Sequence, residues 1–262
     1  MLPTLFLAHG VPLTGLSDND YTRFVRGLGL ILPEPKTVVI ITADDNSEAL
    51  TIGAADRYDG IREEYGFPEE LLSVRYTAKG NRRLSSDIGI MSSGLGIPYR
   101  FDVSSRLDYR AWAVLHWLFP RAEVPVVTLS VNGRLVPEEH YRIGSMLASL
   151  RKRNVLLVGC GSTGYKLRKL TWDAIMPERW AMGFDEWLSE QAAVWNMEAL
   201  FDYPVRAPFA EEAVLKGGET HLAPLFVAMG AADQEKEAEK LHQSYVFGCL
   251  SLNGWMFGDK RL

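Results

Sequence analysis

The sequence predicts an α/β protein whose central sheet is mainly parallel or mixed and is covered by helices on both faces. Three observations predict this class. Short apolar runs rich in β-branched residues recur along the first 160 residues, and each has the length of a strand. Segments with helical spacing of apolar residues separate these runs. The runs are continuously apolar rather than alternating, as in strands buried on both faces of a sheet.

The predicted elements follow one another along the chain. Strands are predicted at residues 5–8, 38–42, 124–130 and 155–158, and a last strand at 246–252 rejoins the sheet. Helices are predicted at residues 20–30, 82–90, 111–119 and 138–152. After Gly164 the pattern is mostly helical, and Trp180, Phe184, Trp187 and Leu188 form an apolar stripe that we expect in the core. With no repeat and no linker, residues 1–262 are predicted to form a single domain.

Composition excludes several classes of function. The 262 residues are 47% hydrophobic and 23% charged, which is typical of a globular protein. A net charge of −5 gives no electrostatic basis for binding nucleic acid or an anionic membrane. The basic run Arg151, Lys152 and Arg153 ends a helical pattern, where it is predicted to complement the helix dipole.

The predicted compartment is the cytoplasm. The two cysteines, Cys160 and Cys249, provide no disulfide framework and fit a reducing environment. The N-terminal residues lack the features of a signal peptide, and no apolar run reaches the roughly 18 residues of a membrane span. The sequence leaves the oligomeric state open.

His9 and Asp44 are the strongest candidates for a functional site, because each lies just after a strand-like apolar run. In open α/β sheets, side chains at the carboxyl ends of strands converge on the ligand crevice. Together with His221, they would form a 2-His-1-carboxylate metal site. Asp45 is the alternative to Asp44, and only one of the two should face the crevice, because adjacent residues of a strand point to opposite sides.

Seven segments of the chain carry a family resemblance. In order they are PTLFLAHGVP (3–12), YGFPEEL (65–71), VRY (74–76), LDYRAW (107–112), ETH (219–221), LHQSY (241–245) and GCLSL (248–252). These segments resemble the class III extradiol ring-cleavage dioxygenases (LigB-type), in the DOPA-dioxygenase-like branch. The resemblance therefore runs essentially from end to end. It implies the family's fold and a metal-dependent enzyme that cleaves a catechol-like aromatic substrate with O2.

The resemblance also implies site residues and a cofactor. The cofactor would be one Fe(II) or Zn(II) per chain. By position, the implied metal ligands are His9, Asp44 and His221. The implied substrate contacts are Tyr65, Phe67, Lys166 and His242.

The chain departs from the family pattern in four places, at seven residues in all. Asp44 stands where typical members have His, and Lys216 where they have a further His. Tyr109-Arg110 replaces His-Gly, and Gly164-Tyr165-Lys166 replaces Thr-His-Asn. Tyr165, with Tyr109 as the second candidate, is therefore predicted to be the catalytic acid/base. A tyrosine pKa of about 10 must be lowered by the metal or by a cation such as Lys166 or Arg110 for this role.

Residues 159–164 satisfy the G-x-G-x-x-G pattern directly after a predicted strand. A dinucleotide site would require a helix there and a second strand about 20 residues on, and neither follows. The prediction is a glycine-rich turn that brings backbone close to an active site, with Cys160 as a buried structural thiol and Ser162 and Thr163 as turn residues. Of the other histidines, His116 is predicted on a helix face or in the core and His140 in solvent.

Three functions stay open at this level. The first is an active dioxygenase. The second is a non-oxidative reaction on an aromatic compound in the same pocket, with or without a metal. The third is a catalytically inactive ligand-binding paralogue, since a fold by itself does not determine a function.

Overall fold

The computed structural model describes residues 1–11, 16–44, 47–62, 75–164, 171, 174, 176–214 and 221–259, apart from the side chain of Asp44. The main sheet has eight strands: β1 (Thr4–Ala8), β2 (Thr37–Asp44), β3 (Leu50–Gly53), β6 (Tyr99–Asp102), β7 (Val126–Asn132), β8 (Val155–Gly161), β9 (Ala238–Val246) and β10 (Leu250–Phe257). A separate antiparallel pair consists of β4 (Arg57–Asp59) and β5 (Thr77–Lys79).

The strand order in the main sheet is β6-β3-β7-β2-β8-β1-β10-β9. Pairing is parallel between β6 and β3 and throughout β7-β2-β8-β1. It is antiparallel between β3 and β7, β1 and β10, and β10 and β9. The predicted α/β class with a mixed sheet is confirmed.

The helices are α1 (Asp20–Ile31), α2 (Arg82–Gly94), α3 (Tyr109–Leu118), α4 (Pro137–Leu147), α5 (Arg179–Ala193), α6 (Met197–Phe201), α7 (Tyr203–Arg206), α8 (Ala210–Ala213), α9 (Ala223–Gly230) and the 3-10 helix Ala148–Arg153. On one face of the sheet, α1 and α3 pack with Val38 and Ile40 of β2. On the other face, α4 and α9 pack with Val39 and Ile41. Both faces of β2 are therefore buried, which explains why its sequence is continuously apolar rather than alternating.

The apolar stripe of α5 lies in the core as predicted. Trp180, Phe184 and Leu188 are buried in one cluster with Trp255 of β10, and Trp187 packs against that cluster while partly exposed. Within the part of the chain that the structure describes, no helix combines the length and hydropathy needed to cross a membrane.

The predicted single strand at 246–252 is wrong. Residues 247–249 form a turn, so this segment contains the end of β9 and the beginning of β10. Phe247 and Gly248 both have positive φ, 53° and 75°, a left-handed conformation that ends a strand. The result is an antiparallel hairpin whose second strand, β10, pairs with β1.

Arg151, Lys152 and Arg153 lie in the last turn of the 3-10 helix, as the dipole interpretation requires, but Arg151 has a structural role that the sequence did not reveal. Its side chain is 1% exposed and forms an ion pair of 2.9 Å with Glu235. Its guanidinium also donates to the carbonyls of Leu2 and Ala231, each at 2.7 Å. Arg151 therefore connects the amino end of the sheet to the segment after α9, while Arg153 forms an exposed ion pair with Asp87.

Candidate active site

Two histidines meet at the carboxyl end of the parallel strands. Nε2 of His9 lies 3.1 Å from Nδ1 of His221. His9 follows β1 and is buried, whereas His221 lies two residues before α9 and is half-buried. The end of β8 holds both segments, because His9 N donates to Gly161 O at 3.1 Å and Ser162 N donates to His221 O at 2.8 Å.

Glycine is required at the point where β8 meets the His221 backbone. A Cβ atom at Gly161 would lie 2.2 Å from the carbonyl oxygen of His221. A side chain there would push the two segments apart. The prediction of a turn is wrong for residues 159–161, which form the end of β8. The predicted close approach of backbone is present, because these glycines are in close contact with the candidate site. Residues 162–164, which follow, are not helical.

Both histidines are neutral at physiological pH. Burial, followed by the positive charge of Arg110, lowers the pKa of His9 to about 3. Burial, with smaller contributions from His9 and Arg110, holds the pKa of His221 well below its ordinary value. Nδ1 of His9 lies 2.7 Å from the carbonyl of Gly10. That nitrogen therefore carries the proton, and the lone pair of Nε2 points towards His221.

The pair suits a metal ion of the kind that imidazole binds. Two nitrogens that bind one ion at about 2.1 Å each would be about 3.0 Å apart at a right angle and about 3.4 Å apart at a tetrahedral angle, and the observed 3.1 Å lies between these values. Neutral imidazole with a fixed tautomer is the usual ligand form. Among the described residues, no group of three or more His, Cys, Asp or Glu side chains converges as a metal site. Asp44 ends β2 beside Asn132, but its side chain lies outside the description, so its role as third ligand stays a prediction.

Two tyrosines fix the backbone around His9. The hydroxyl of Tyr21 donates to Ala8 O at 2.7 Å, and that of Tyr109 donates to His9 O at 3.2 Å. Tyr109 is the first residue of α3, whose N-cap Asp108 accepts a bond from Arg110 N at 2.8 Å. The hydroxyl of Tyr109 thus helps to position a candidate ligand, while its predicted catalytic role stays a prediction.

Arg110 lies beside this site in an ion pair with Asp108. Nε and one terminal nitrogen of Arg110 each lie 3.1 Å from a different oxygen of that carboxylate, a bidentate geometry that fixes the guanidinium plane. The thiol of Cys160 donates to Arg110 O at 3.0 Å. Burial raises the pKa of Cys160 well above its usual value, so it is the buried structural thiol that the sequence predicts.

The remaining histidines lie apart from the pair. His242 stacks on Phe24 at 4.8 Å, and its Nε2 lies 2.8 Å from the hydroxyl of Ser244, so its contact with substrate stays a prediction. His116 stacks on Trp112 along α3, as expected for a helix-face residue. The prediction that His140 is solvated is wrong. It is 3% exposed, because the first turn of α4 holds its Nε2 2.9 Å from Asn132 O at the end of β7.

Several predicted site residues lie outside the described residues. Tyr65, Phe67, Tyr165 and Lys166 belong to this group, as do Asp45 and Lys216. Their predicted roles as acid/base, substrate contacts or alternative ligand stay predictions.

Sequence reasoning missed a buried polar cluster next to the site. Asp185 of α5 is fully buried and accepts hydrogen bonds from Thr163 at 2.5 Å and from the hydroxyl of Ser251. The amide of Asn253 donates to Thr163 at 2.9 Å. The cluster thereby anchors the segment whose Ser162 holds His221. One feature of the sequence could have indicated the cluster: Asp185 directly follows Phe184, a member of the apolar stripe.

Protonation of Asp185 is expected to stabilise the folded protein, whereas protonation of a typical carboxylate with a lowered pKa destabilises it. Burial raises its pKa, against the opposing hydrogen bonds. The folded protein therefore takes up this proton at a higher pH than the unfolded chain does. The charged form destabilises the fold at neutral pH, and this cost disappears as the pH falls through the folded pKa.

We therefore expect the substitution Asp185→Asn, which removes this titration, to cost more stability at pH 4.5 than at pH 7.5. The difference in unfolding free energy between the native protein and the variant is expected to change by up to about 1.4 kcal/mol per pH unit. Urea unfolding across this range measures it, with the exposed neighbour Glu186→Gln as the control. A pH-independent difference for Asp185→Asn would contradict a raised pKa.

Comparison with known proteins first defines the class. The family model described as the catalytic LigB subunit of aromatic ring-opening dioxygenase matches residues 25–255. The chain therefore belongs to this family of class III extradiol dioxygenases, as the resemblance in the sequence implied.

Individual relatives cover nearly the whole chain. A 4,5-DOPA dioxygenase extradiol from Beta vulgaris is 30% identical over 97% of this chain and 96% of its own length. The protein of the same description from Escherichia coli K12 is 29% identical over 96% and 93%. The crystal structure of an uncharacterized Escherichia coli K12 protein aligns with a TM-score of 0.83 at 25% identity, covering 98% of this chain and all of the other.

Proposed function

We propose that this protein is a metal-dependent extradiol dioxygenase that acts on a catechol-like aromatic small molecule through a modified 2-His-1-carboxylate site. The observation that carries the proposal is the pair His9 and His221, two buried or half-buried neutral imidazoles whose ring nitrogens are 3.1 Å apart. Family membership supports it, because LigB-family extradiol dioxygenases depend on a metal and use an aromatic substrate and O2.

In this proposal His9, His221 and Asp44 hold one Fe(II) or Zn(II). Iron supplies the redox chemistry that lets O2 react with a bound catechol. Ring cleavage breaks the carbon–carbon bond next to the diol, and both oxygen atoms enter the ring-opened product. Zinc has no redox chemistry, so bound zinc would show that the metal site is assembled but would not supply this redox chemistry.

The chain's own residues prepare the substrate. A base must take a phenolic proton, and Tyr165 is our first candidate. Tyr109 is the weaker one, because its hydroxyl already donates to His9 O. Arg110 is paired with Asp108, but its positive charge still lowers the pKa of both histidines, and by the same effect it favours phenolate over phenol nearby. The same charge helps to keep both imidazoles unprotonated and available as ligands.

The test is metal content together with O2 uptake. Protein purified anaerobically with Fe(II) is expected to retain about one metal per chain and to consume O2 when a catechol is added. The substitution His221→Ala is expected to lose the metal and at least about 100-fold of the activity. The control His116→Ala removes a half-buried histidine of α3 that stacks on Trp112 and is expected to change neither result.

The same experiment separates the alternatives. Absence of metal from the native protein would overturn the proposal. Aromatic binding without O2 uptake would favour a non-oxidative reaction, and binding without turnover of any kind would favour an inactive paralogue.

A further inference from the structure

Strand β6 is one edge of the main sheet, because among the described residues it pairs with β3 and with no other strand. The carbonyls of Pro98 and Asp102 accept hydrogen bonds from the backbone at the two ends of β3, at 2.9 and 2.7 Å. Backbone groups alternate in direction along a strand, so those of Tyr99, Phe101 and Val103 point away from the sheet. The outer side of β6 is therefore a row of backbone donors and acceptors that another strand can pair with.

The surface along this edge is apolar. Phe101 is 46% exposed, and Val103, just after the strand, is 72% exposed. Helix α2 packs over β6 so closely that a Cβ atom at Gly89 would lie 2.9 Å from the ring of Tyr99. The next residue of α2, Ile90, is 70% exposed. Exposed apolar side chains along an unpaired strand are typical of an interaction surface.

The opposite edge of the sheet, β9, is built differently. It carries the exposed charged residues Glu239 and Lys240, and its register against β10 shifts between Gly254 and Trp255, as at a β-bulge. Lysine and bulges are usual devices that prevent pairing between sheet edges. Strand β6 contains no lysine, and its register against β3 is continuous. Of the two edges, β6 is therefore the one that is open to pairing.

The charges of β6 match those of a second copy of the same strand. Arg100 and Asp102 are two residues apart, so they lie on one face of the sheet, opposite to the side chain of Phe101. When two such strands pair antiparallel about a twofold axis at Phe101, each Arg100 faces Asp102 of the other copy. A shift of two residues would place Arg100 opposite Arg100 or Asp102 opposite Asp102, and like charges directly opposite are destabilising. The charge pattern thus selects one register.

Both charged side chains are available for these contacts. Arg100 is exposed and donates to the hydroxyl of Thr51 at 3.0 Å, and no carboxylate pairs with it among the described residues. The carboxylate of Asp102 accepts from Arg62 at 3.1 Å and from Ser104 N at 2.9 Å. A carboxylate has about four acceptor positions, so Asp102 can accept a further hydrogen bond from a guanidinium group.

We propose that β6 pairs with β6 of a second copy of this chain, so that two eight-stranded sheets join into one across a twofold axis at Phe101. Phe101 pairs with Phe101, and Tyr99 pairs with Val103 of the other copy, which gives about six main-chain hydrogen bonds. Two ion pairs between Arg100 and Asp102 fix the register on the other face. The same surface of both copies is used, so the assembly closes at the dimer.

The first measurement is the oligomeric state of the full chain as a function of concentration. One short strand and a few apolar side chains make a small interface, so a reversible dimer with a Kd on the order of 10 μM is expected. Analytical ultracentrifugation from about 1 to about 200 μM is expected to show mainly monomer at the lower end and mainly dimer at the upper end. A chain that is monomeric throughout this range would overturn the proposal.

Charge reversal tests the register. Arg100→Asp places a carboxylate opposite Asp102 of the other copy, and Asp102→Arg places a guanidinium opposite Arg100. Each variant alone exchanges two attractive pairs for two repulsive ones and is expected to raise the Kd at least about tenfold. An equimolar mixture of the two variants restores two pairs of opposite charge and is expected to form a heterodimer with about the native Kd. A folding defect cannot produce this rescue.

The matched control is Glu239→Arg, a charge reversal of an exposed residue on β9, which is expected to leave the Kd unchanged. Single β6 variants that dimerise like the native chain would overturn the proposal, and so would a mixture that stays monomeric. A dimer that only Glu239→Arg disrupts would assign the contact to β9 and also overturn it. Neither metal nor turnover enters these measurements, so their outcome is independent of the proposed function.

Discussion

Replacing His9 by glutamine is expected to abolish metal binding and to lower the rate of ring cleavage at least about 100-fold, while the protein stays folded. Loss of second-shell partners alone reduces metal affinity or activity 10- to 100-fold, and Nε2 of His9 is a proposed ligand directed at the same point as His221. The backbone of His9 is held independently of its ring, through Gly161 O, Tyr109 and the Tyr21 bond to Ala8. Glutamine is similar in size and can bond the Gly10 carbonyl, so the fold should persist.

The matched control is His140→Gln. His140 is as buried as His9 and likewise bonds a backbone carbonyl, but it lies on α4, which packs on the opposite face of the sheet from Val38 and Ile40. It should retain metal and activity. For both variants, elemental analysis measures the bound metal, O2 uptake measures the activity, and circular dichroism shows whether the protein is folded. A folded His9→Gln protein that keeps about one metal per chain would exclude His9 as a ligand.

Replacing Arg151 by methionine is expected to destabilise the protein by about 3 kcal/mol, because breaking a buried ion pair leaves its partner uncompensated. The substitution removes the charge that faces Glu235 and the donors to the carbonyls of Leu2 and Ala231. Glu235 is 18% exposed, so water can reach it, which places the expected effect at the lower end of the range for such pairs. Urea unfolding at pH 7 measures the change.

Two controls separate charge from packing. Arg153→Met removes an arginine two residues away whose ion pair with Asp87 is largely exposed, and it is expected to change stability by at most about 1 kcal/mol. Glu235→Gln keeps both carbonyl bonds of Arg151 but leaves its buried charge without a carboxylate, so a loss comparable to that of Arg151→Met is expected if charge, and not packing, causes the effect. Equal losses for Arg151→Met and Arg153→Met would show that Arg151 acts as an ordinary surface residue.

Much of the fold could be predicted from the order of residue types. The runs at 5–8, 38–42 and 155–158 were identified as strands because a strand buried on both faces leaves a continuous apolar pattern, and all three correspond to strands of the sheet. The hairpin at 238–257 was not foreseen, because its turn depends on positive φ at Phe247 and Gly248, which a run of apolar letters does not reveal. His140 was misjudged because its burial depends on where α4 lies against the end of β7.

By itself, the sequence determined the α/β class, the positions of the main strands, membership of the extradiol dioxygenase family and His9 and His221 as the residues to examine. Only the tertiary structure decided that these two rings, 212 residues apart, meet at 3.1 Å. It alone revealed the buried Arg151 and the Asp185 cluster. The physical reason is that local patterns record which residues a strand or helix must bury, whereas charge, proximity and pKa depend on neighbours that chain folding brings from distant positions.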